Sequence, residues 1–354
     1  MNRFFLISIF FLILLSCKTI NYDISGKNEK VFTSVKIDTL FQDKISIRAL
    51  VFDANKVWYA ADKSRFGFFD LDKNQKKEQH IMKDSLKLEF RSIAKTSQAV
   101  FILSVSNPAL LYRVSKDNLE PKLVYQENHE KVFYDSMQFW NDKEGIAIGD
   151  PIDDTSFCII LTCDGGNSWQ KIPTSNLPKL TEGESAFAAS NTNIVIKGNN
   201  TWIVSGGKKS RVLYSGNKGI TWSIYETPIS QGEKMTGIFT ADFYDAKTGF
   251  IAGGNYEIPN QNFDNKAKTV DGGKSWNLIA QNQGFGYASC VQYVPNSNGK
   301  GIVVVGAQGL FYSSDGGVSW KQLATDSSLF TFRFINDTTA IASGKNKMIR
   351  IHFK

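Results

Sequence analysis

The chain of 354 residues is poor in the side chains that most catalytic and redox centres require. Its three histidines, His80, His129 and His352, stand too far apart to show metal-ligand spacing. Its four cysteines are Cys17, Cys158, Cys163 and Cys290, with no C-x-x-C pair among them. That excludes the spacing of a zinc ribbon or a dithiol redox motif. Cys158 and Cys163 lie five apart on one expected strand, so they face opposite sides and read as free thiols. There is no G-x-S-x-G elbow and no phosphate-binding P-loop. Gly306-Ala307-Gln308-Gly309 is a hairpin remnant without the βαβ context of a dinucleotide site. These absences predict no catalytic residue, no metal and no cofactor. Arginine is also scarce, eight among 41 basic residues. The formal charge of +7 therefore comes mostly from scattered lysines such as Lys76-Lys77 and Lys208-Lys209. Without a basic helix or an arginine-rich run, this reads as solvated surface and excludes nucleic acid as the expected partner.

The N-terminus is different. Met1-Asn2-Arg3 precedes a nearly unbroken apolar run from Phe4 to Leu15. Twelve residues are too few to span a bilayer, and the pattern is that of a secretory signal over residues 1–16. The run ends Leu14-Leu15-Ser16-Cys17, which resembles the bacterial lipobox. Acyl chains on Cys17 would anchor the protein stably to a membrane. Residues 17–30 then serve as the lipidated cysteine and a polar tether, and residues 31–354 as one domain. The expected location is the cell envelope, facing the periplasm or the surface.

The domain is aromatic-rich, with 26 Phe and 13% aromatics overall, and shows no helical periodicity. One motif recurs four times: Thr162 to Trp169, Ser215 to Trp222, Thr269 to Trp276 and Ser313 to Trp320. All fit S/T-x-D/N-x-G-x-x-W, which resembles the Asp-box of sialidase-like propellers. Asp164, Asn217, Asp271 and Asp315 suit turns, because their side chains accept hydrogen bonds from nearby amides. Trp169, Trp222, Trp276 and Trp320 would bury large rings between neighbouring sheets. The boxes are thus structural hairpin staples, and their acids are not catalytic. Trp-to-Trp spacings of 53, 54 and 44 match the period of propeller blades. Strands ending in a small residue recur at Ala61, Ser104, Gly149, Gly206, Gly253, Gly306 and Gly344. The count predicts an all-β, seven-bladed propeller, with six or eight blades as alternatives. Val31 to Phe41 would supply the outer strand that closes the ring.

In such a fold the starts of the inner strands converge on one mouth. They read Ser46-Ile47-Arg48, Phe90-Arg91-Ser92, Tyr134-Asp135-Ser136, Glu182-Gly183-Glu184-Ser185, Lys234-Met235-Thr236, Tyr287-Ala288-Ser289 and Thr331-Phe332-Arg333. Two arginines at matched positions are notable when arginine is rare, and their planar forks suit carboxylate or phosphate. The competing reading is that Arg48 and Arg91 pair with Asp135 or Glu184 and only hold blades together. The loops after Gly149 and Gly253 add Asp150 and Tyr256. Asp150, Asp153 and Asp154 lack the spacing of a calcium loop and read as solvated. The candidate ligand-binding set is Arg48, Arg91, Asp135, Asp150, Glu184 and Tyr256, serving a protein or glycan ligand of a monomeric protein.

Gly149-Asp150-Pro151, the box ending at Trp169, Glu182 to Ser190, and Gly253-Gly254-Asn255-Tyr256 leading into the box at Thr269 form a linked set. Together they resemble bacterial secreted relatives of the photosystem II stability/assembly factor, over roughly residues 40–354. The resemblance implies a seven-bladed propeller that acts by binding, without catalysis. Relatives in non-photosynthetic bacteria are often labelled oxidoreductase or glycosyl hydrolase. Neither label finds support in these residues, and a glycosidase of sialidase-like fold, then an oxidoreductase, stand as the alternatives to a binding scaffold. A sialidase would need three arginines, an acid/base Asp and a Tyr nucleophile assisted by Glu, and its early Arg-Ile-Pro signature is absent.

Overall fold

The computed structural model describes residues 31–354, apart from 84 and 154. The signal, Cys17 and the tether lie outside the described residues, as does Asp154. The described chain is all β apart from one three-residue 3-10 turn, Thr174–Asn176. Its strands form antiparallel sheets arranged as a β-propeller. In the sheet of Phe90–Lys95, Ala99–Ser104, Ala109–Ser115 and Pro121–Glu127, the chain runs outward strand by strand. The second strand is buried along its whole length, since neighbouring sheets cover both its faces. It therefore reads as a continuous apolar run, whereas the outermost strand carries exposed lysine and glutamine. Apolar clusters lie between adjacent sheets. One joins Phe101 and Leu111 to Tyr134, Ile160 and Trp169, and another joins Phe250 to Val304 and Phe311.

The sheets number six, so the expectation of seven blades is corrected to six. The reason lies at the seam. Val35–Asp53 is one strand of 19 residues and Thr339–Phe353 one of 15. The first pairs with Lys345 to Phe353 through its N-terminal part, and with Lys56–Ala61 through its C-terminal part. The second pairs with Leu329–Phe334 before it reaches the N-terminal strand. Two long strands thus cross the seam without a turn. They join the short closing unit to the first unit in one six-stranded ladder, Leu329–Phe334 to Gln75–His80. A second six-stranded sheet arises where Glu184–Ser185 and Gly206–Gly207 extend the ladder of Thr236–Phe243.

The four repeated motifs share one local geometry. The Asp271 carboxylate accepts hydrogen bonds from the Lys274 and Ser275 amides, both 3.0 Å, and from the Thr269 and Ser275 hydroxyls. Asp164 does the same with Asn167, Ser168 and Thr162. Burial alone would raise both carboxyls, but these donors outweigh it and hold each at about 2. In the second copy the Asn217 carbonyl accepts from the Thr221 amide, while its NH2 group donates to the Thr221 hydroxyl. The roles reverse because an amide can donate where a carboxylate cannot. Each box also reaches the preceding sheet. Trp169 packs edge-on to Phe101, and Trp320 lies 5.8 Å from Phe250.

Asp271→Ala should lower stability by on the order of 1 kcal/mol, the scale of a lost capping side chain. Asp271→Asn should cost less, because Asn217 already serves the same turn. The midpoints of chemical denaturation at neutral pH would show this order.

Candidate functional site

The mouth is built by a repeated irregularity in the inner strands. Six of them carry a one-residue bulge at the same place, and the extra residues are Arg48, Arg91, Asp135, Phe239, Ser289 and Phe330. A bulge leaves one residue out of the ladder and re-aims its side chain. The residues facing the start of each bulge are Ala61, Ser104, Gly149, Gly253, Gly306 and Gly344. Their smallness has a cause: a Cβ on Gly149 would sit 2.4 Å from the Phe133 carbonyl, and one on Gly344 only 1.9 Å from that of Ser328. The small-residue signal in the sequence is therefore the imprint of the bulges. It aligned Arg48, Arg91 and Asp135 correctly. In later units it slipped: the bulge residues are Phe239 and Phe330, not Lys234–Thr236 or Thr331–Arg333.

One inner strand is replaced. Residues Ala186 to Asn193 are irregular and buried, and they hydrogen-bond to all six sheets, including the sheet of Ile194–Lys197, where the Asn193 carbonyl accepts from the Val204 amide at 3.0 Å. Asn191 donates to the Ile93 carbonyl and accepts from the Met137 amide. Thr192 pairs with Thr240 at 2.8 Å, and the Ser190 hydroxyl donates to the Ser289 carbonyl. Arg48 donates to the Ala189 carbonyl, and Arg333 and Thr331 donate to that of Ser190. Only a segment on the propeller axis can reach all of these. It plugs the channel and forms the floor of the mouth.

Above this floor is a cavity of about 540 Å³, walled by Arg48, Arg91, Asp150, Phe239, Tyr256 and Tyr287 among others. A second cavity of about 390 Å³ shares Arg48, Tyr256 and Tyr287 and extends to Phe330 and Glu257. Phe187 and Phe239 stack at 3.9 Å, and Tyr287 meets Phe239 and Tyr256 edge-on at 4.8 and 5.1 Å. Tyr256 is 49% exposed and forms the outer lip.

The two arginines differ. Arg91 is bound by Glu89, with contacts of 2.8 and 2.7 Å. Arg48 lies 3.9 Å over the Phe330 ring, gives one hydrogen bond to Ala189, and leaves its buried Nε without a partner. No carboxylate is within ion-pair distance of it among the described residues. Burial and then the neighbouring Arg91 charge push its pKa down. The competing reading, in which either arginine pairs with Asp135 or Glu184, is not what the structure contains.

The three predicted acids go to three fates. Glu184 is buried away from the cavity and is clasped by Arg211, Ser205 and the Thr181 amide. It is a structural ion pair and leaves the candidate set. Asp150 lines the cavity and accepts from the Ala186 amide at 2.8 Å. Burial pushes its pKa up to about 7, against that hydrogen bond. Asp135 is fully buried beneath, with neither oxygen hydrogen-bonded. Burial and then the Asp150 charge hold its carboxyl well above its ordinary range, against the pull of Arg91. Asp153 caps the Thr155 amide. Among the described residues no cluster of three or more His, Cys, Asp or Glu could hold a metal ion. The structure thus brings Arg48, Arg91, Asp150 and Tyr256 to one cavity with Asp135 below. Tyr287, placed at the mouth by the sequence but left out of the candidate set, lines it too. The plug, Phe239 and Phe330 were missed. The only sequence signal of the two phenylalanines was the bulge register, which apolar residues do not advertise.

No protein-family model matches the chain, and no curated protein matches it. Solved structures do. YCF48 bound to a D1 peptide superposes with a TM-score of 0.64 at 13% identity, over 92% of this chain and 98% of that one. This chain has the propeller fold. The WD40 repeats of RRP9 give 0.63 at 10% identity, over 92% and 100%. The GH74 enzyme of Niastella koreensis gives 0.56 at 14%, over 88% of this chain and 43% of that one. Identities this low carry the architecture alone.

Asp150 gives a stability test. Its folded pKa is raised, so between about pH 4 and 7 the folded state keeps a proton that the unfolded state releases. Stability from this group is full below the unfolded value and falls as pH rises through about 7. Asp150→Asn, which still accepts from Ala186, should therefore gain in Tm over the parent chain as the pH goes from 5 to 8. A constant Tm difference across that range would refute this assignment.

Proposed function

We propose that the protein is a binding scaffold that captures a carboxylate-bearing segment of a protein partner at its channel mouth. One observation carries this: Arg48 lines an aromatic cavity with its guanidinium largely desolvated and without a carboxylate partner. A buried charge that lacks its counter-ion is costly and is neutralised by an incoming anion. The guanidinium fork matches a carboxylate with two parallel hydrogen bonds. Propeller neighbours support a protein partner, since the YCF48 structure holds a D1 peptide. The GH74 neighbour adds no argument for turnover, because Asp150 alone among the buried and half-buried acids lines the cavity. The assembly-factor role of the resembled family is one functional analogy. The lipobox-like Leu14-Leu15-Ser16-Cys17 supports attachment at the cell envelope by a lipid on Cys17.

Panning of a random peptide library, with free and with amidated C-termini, should enrich acidic or free-carboxylate sequences on the parent protein. Retention should fall tenfold or more on Arg48→Glu, the scale of a charge-assisted hydrogen bond lost. Equal retention by both proteins would remove Arg48 from the site. In cells, Cys17→Ser should shift the protein from the membrane fraction to the soluble one. An unchanged distribution would end the anchoring proposal.

A further inference from the structure

The mouth holds an unbalanced charge at each of two places, and the proposed anion answers only one of them. Arg48 is the cationic pole. The anionic pole is Asp150, which accepts at Oδ1 from the Ala186 amide and lines the cavity with no lysine or arginine paired to it among the described residues. Asp135 lies buried behind it with both oxygens unpartnered, so the floor carries two carboxyls. The one cation near them, Arg91, is already bound to Glu89. Lys234 and Glu257 line the cavities only from exposed positions, and Tyr256 and Tyr287 supply rings. The same cavity has an aromatic wall: Phe187 and Phe239 stacked, with Tyr287 edge-on. A cavity of some 540 Å³ falls in the size class of small-molecule sites.

We infer that the mouth is built for a zwitterion with an apolar body, its carboxylate on Arg48 and its ammonium on Asp150, which is the chemistry of an α-amino acid or a short peptide. This rests on the reading that Arg48 takes an anion, and it adds the second charge. A ligand with the carboxylate alone leaves Asp150 and Asp135 to be neutralised by a proton. A ligand ammonium takes that proton's place. Binding of the zwitterion then releases a proton near neutral pH, and binding of a simple carboxylate does not. The two ligand types therefore respond oppositely to pH. Affinity for the zwitterion rises from pH 6 to 8, where Asp150 ionises and the ammonium is still charged. Affinity for the anion falls over the same range.

Titration calorimetry on the parent protein with phenylalanine, N-acetyl-phenylalanine, phenylalanine amide and the tripeptide Ala-Phe-Ala separates these cases at pH 6 and 8. At pH 8 phenylalanine or the tripeptide should bind at least tenfold tighter than either blocked form. Whichever of the two binds tighter identifies a free amino acid or a peptide as the source. Asp150→Asn should abolish the preference for a free amine and keep the binding of N-acetyl-phenylalanine. Equal affinity for phenylalanine and its N-acetyl form would overturn the inference while leaving the Arg48 anion site standing. So would an absence of binding by all four compounds when library peptides are still captured through Arg48. If Arg48→Gln leaves the affinity for N-acetyl-phenylalanine unchanged, the anion site and the inference fall together.

Discussion

The hydrogen bonds made by Ser190, Asn191 and Thr192 at the propeller axis are the constraint on which the rest of this structure depends. A ring of sheets packs face to face through apolar side chains, and such contacts do not fix a centre. Here the centre is fixed by polar groups. Backbone carbonyls at Ala189 and Ser190 accept from Arg48 and Arg333, and Asn191 bridges two further sheets. Every buried polar group in this segment must find a partner or pay a desolvation penalty. The sheets are therefore held at the distances at which those partners meet. The same segment is the floor of the cavity, so the geometry of the site and the geometry of the ring are set by one set of bonds.

The bulges convert that frame into a site. A regular inner strand would alternate its side chains between the two adjacent apolar layers and leave none for the axis. One extra residue per strand breaks the alternation at a single level. What stands there lies outside the layers between the sheets, and the chain places two arginines, one aspartate, one serine and two phenylalanines at that level. The mixture explains why the mouth is both charged and aromatic. It also explains why Asp135 is so unfavourably placed: a bulge position on the axis is buried as soon as the plug covers it.

Much of this was legible in the sequence, and the parts that were not have physical reasons. The repeated turn motif announced itself because its Asp, Gly and Trp each do one local job that few other residues can do. The small residues opposite the bulges were legible for a similar reason, since at the four glycines a Cβ has no room and at Ala61 and Ser104 only a small side chain stands. Arg48, Arg91, Asp150 and Tyr256 followed from counting along strands from those marks. The number of blades was misread because Val35–Asp53 and Thr339–Phe353 cross the seam unbroken, and nothing local in a strand tells which sheet it will join. Glu184 was misplaced because its partner Arg211 lies 27 positions away and carries no spacing signal. Phe239 and Phe330 were passed over because an apolar residue in a strand looks the same whether it faces the core or a ligand.

The seam has a consequence for the order of events in synthesis. Val35 pairs with Phe353, so the last rungs of the ring join residues more than 300 positions apart. Loop-closure entropy makes such contacts slow to form, and a ribosome delivers Thr339–Phe353 after every other strand described. Until then the Val35 to Ser46 half of the first strand has an open edge, while the sheets from Phe90 onward can already zip up by local hairpins. The chain meets this with charge. Lys36, Asp38, Asp43 and Lys44 punctuate that edge, as protected edge strands elsewhere are punctuated against pairing with another chain. The strand that completes the ring is thus also the one that has to wait longest for its partner.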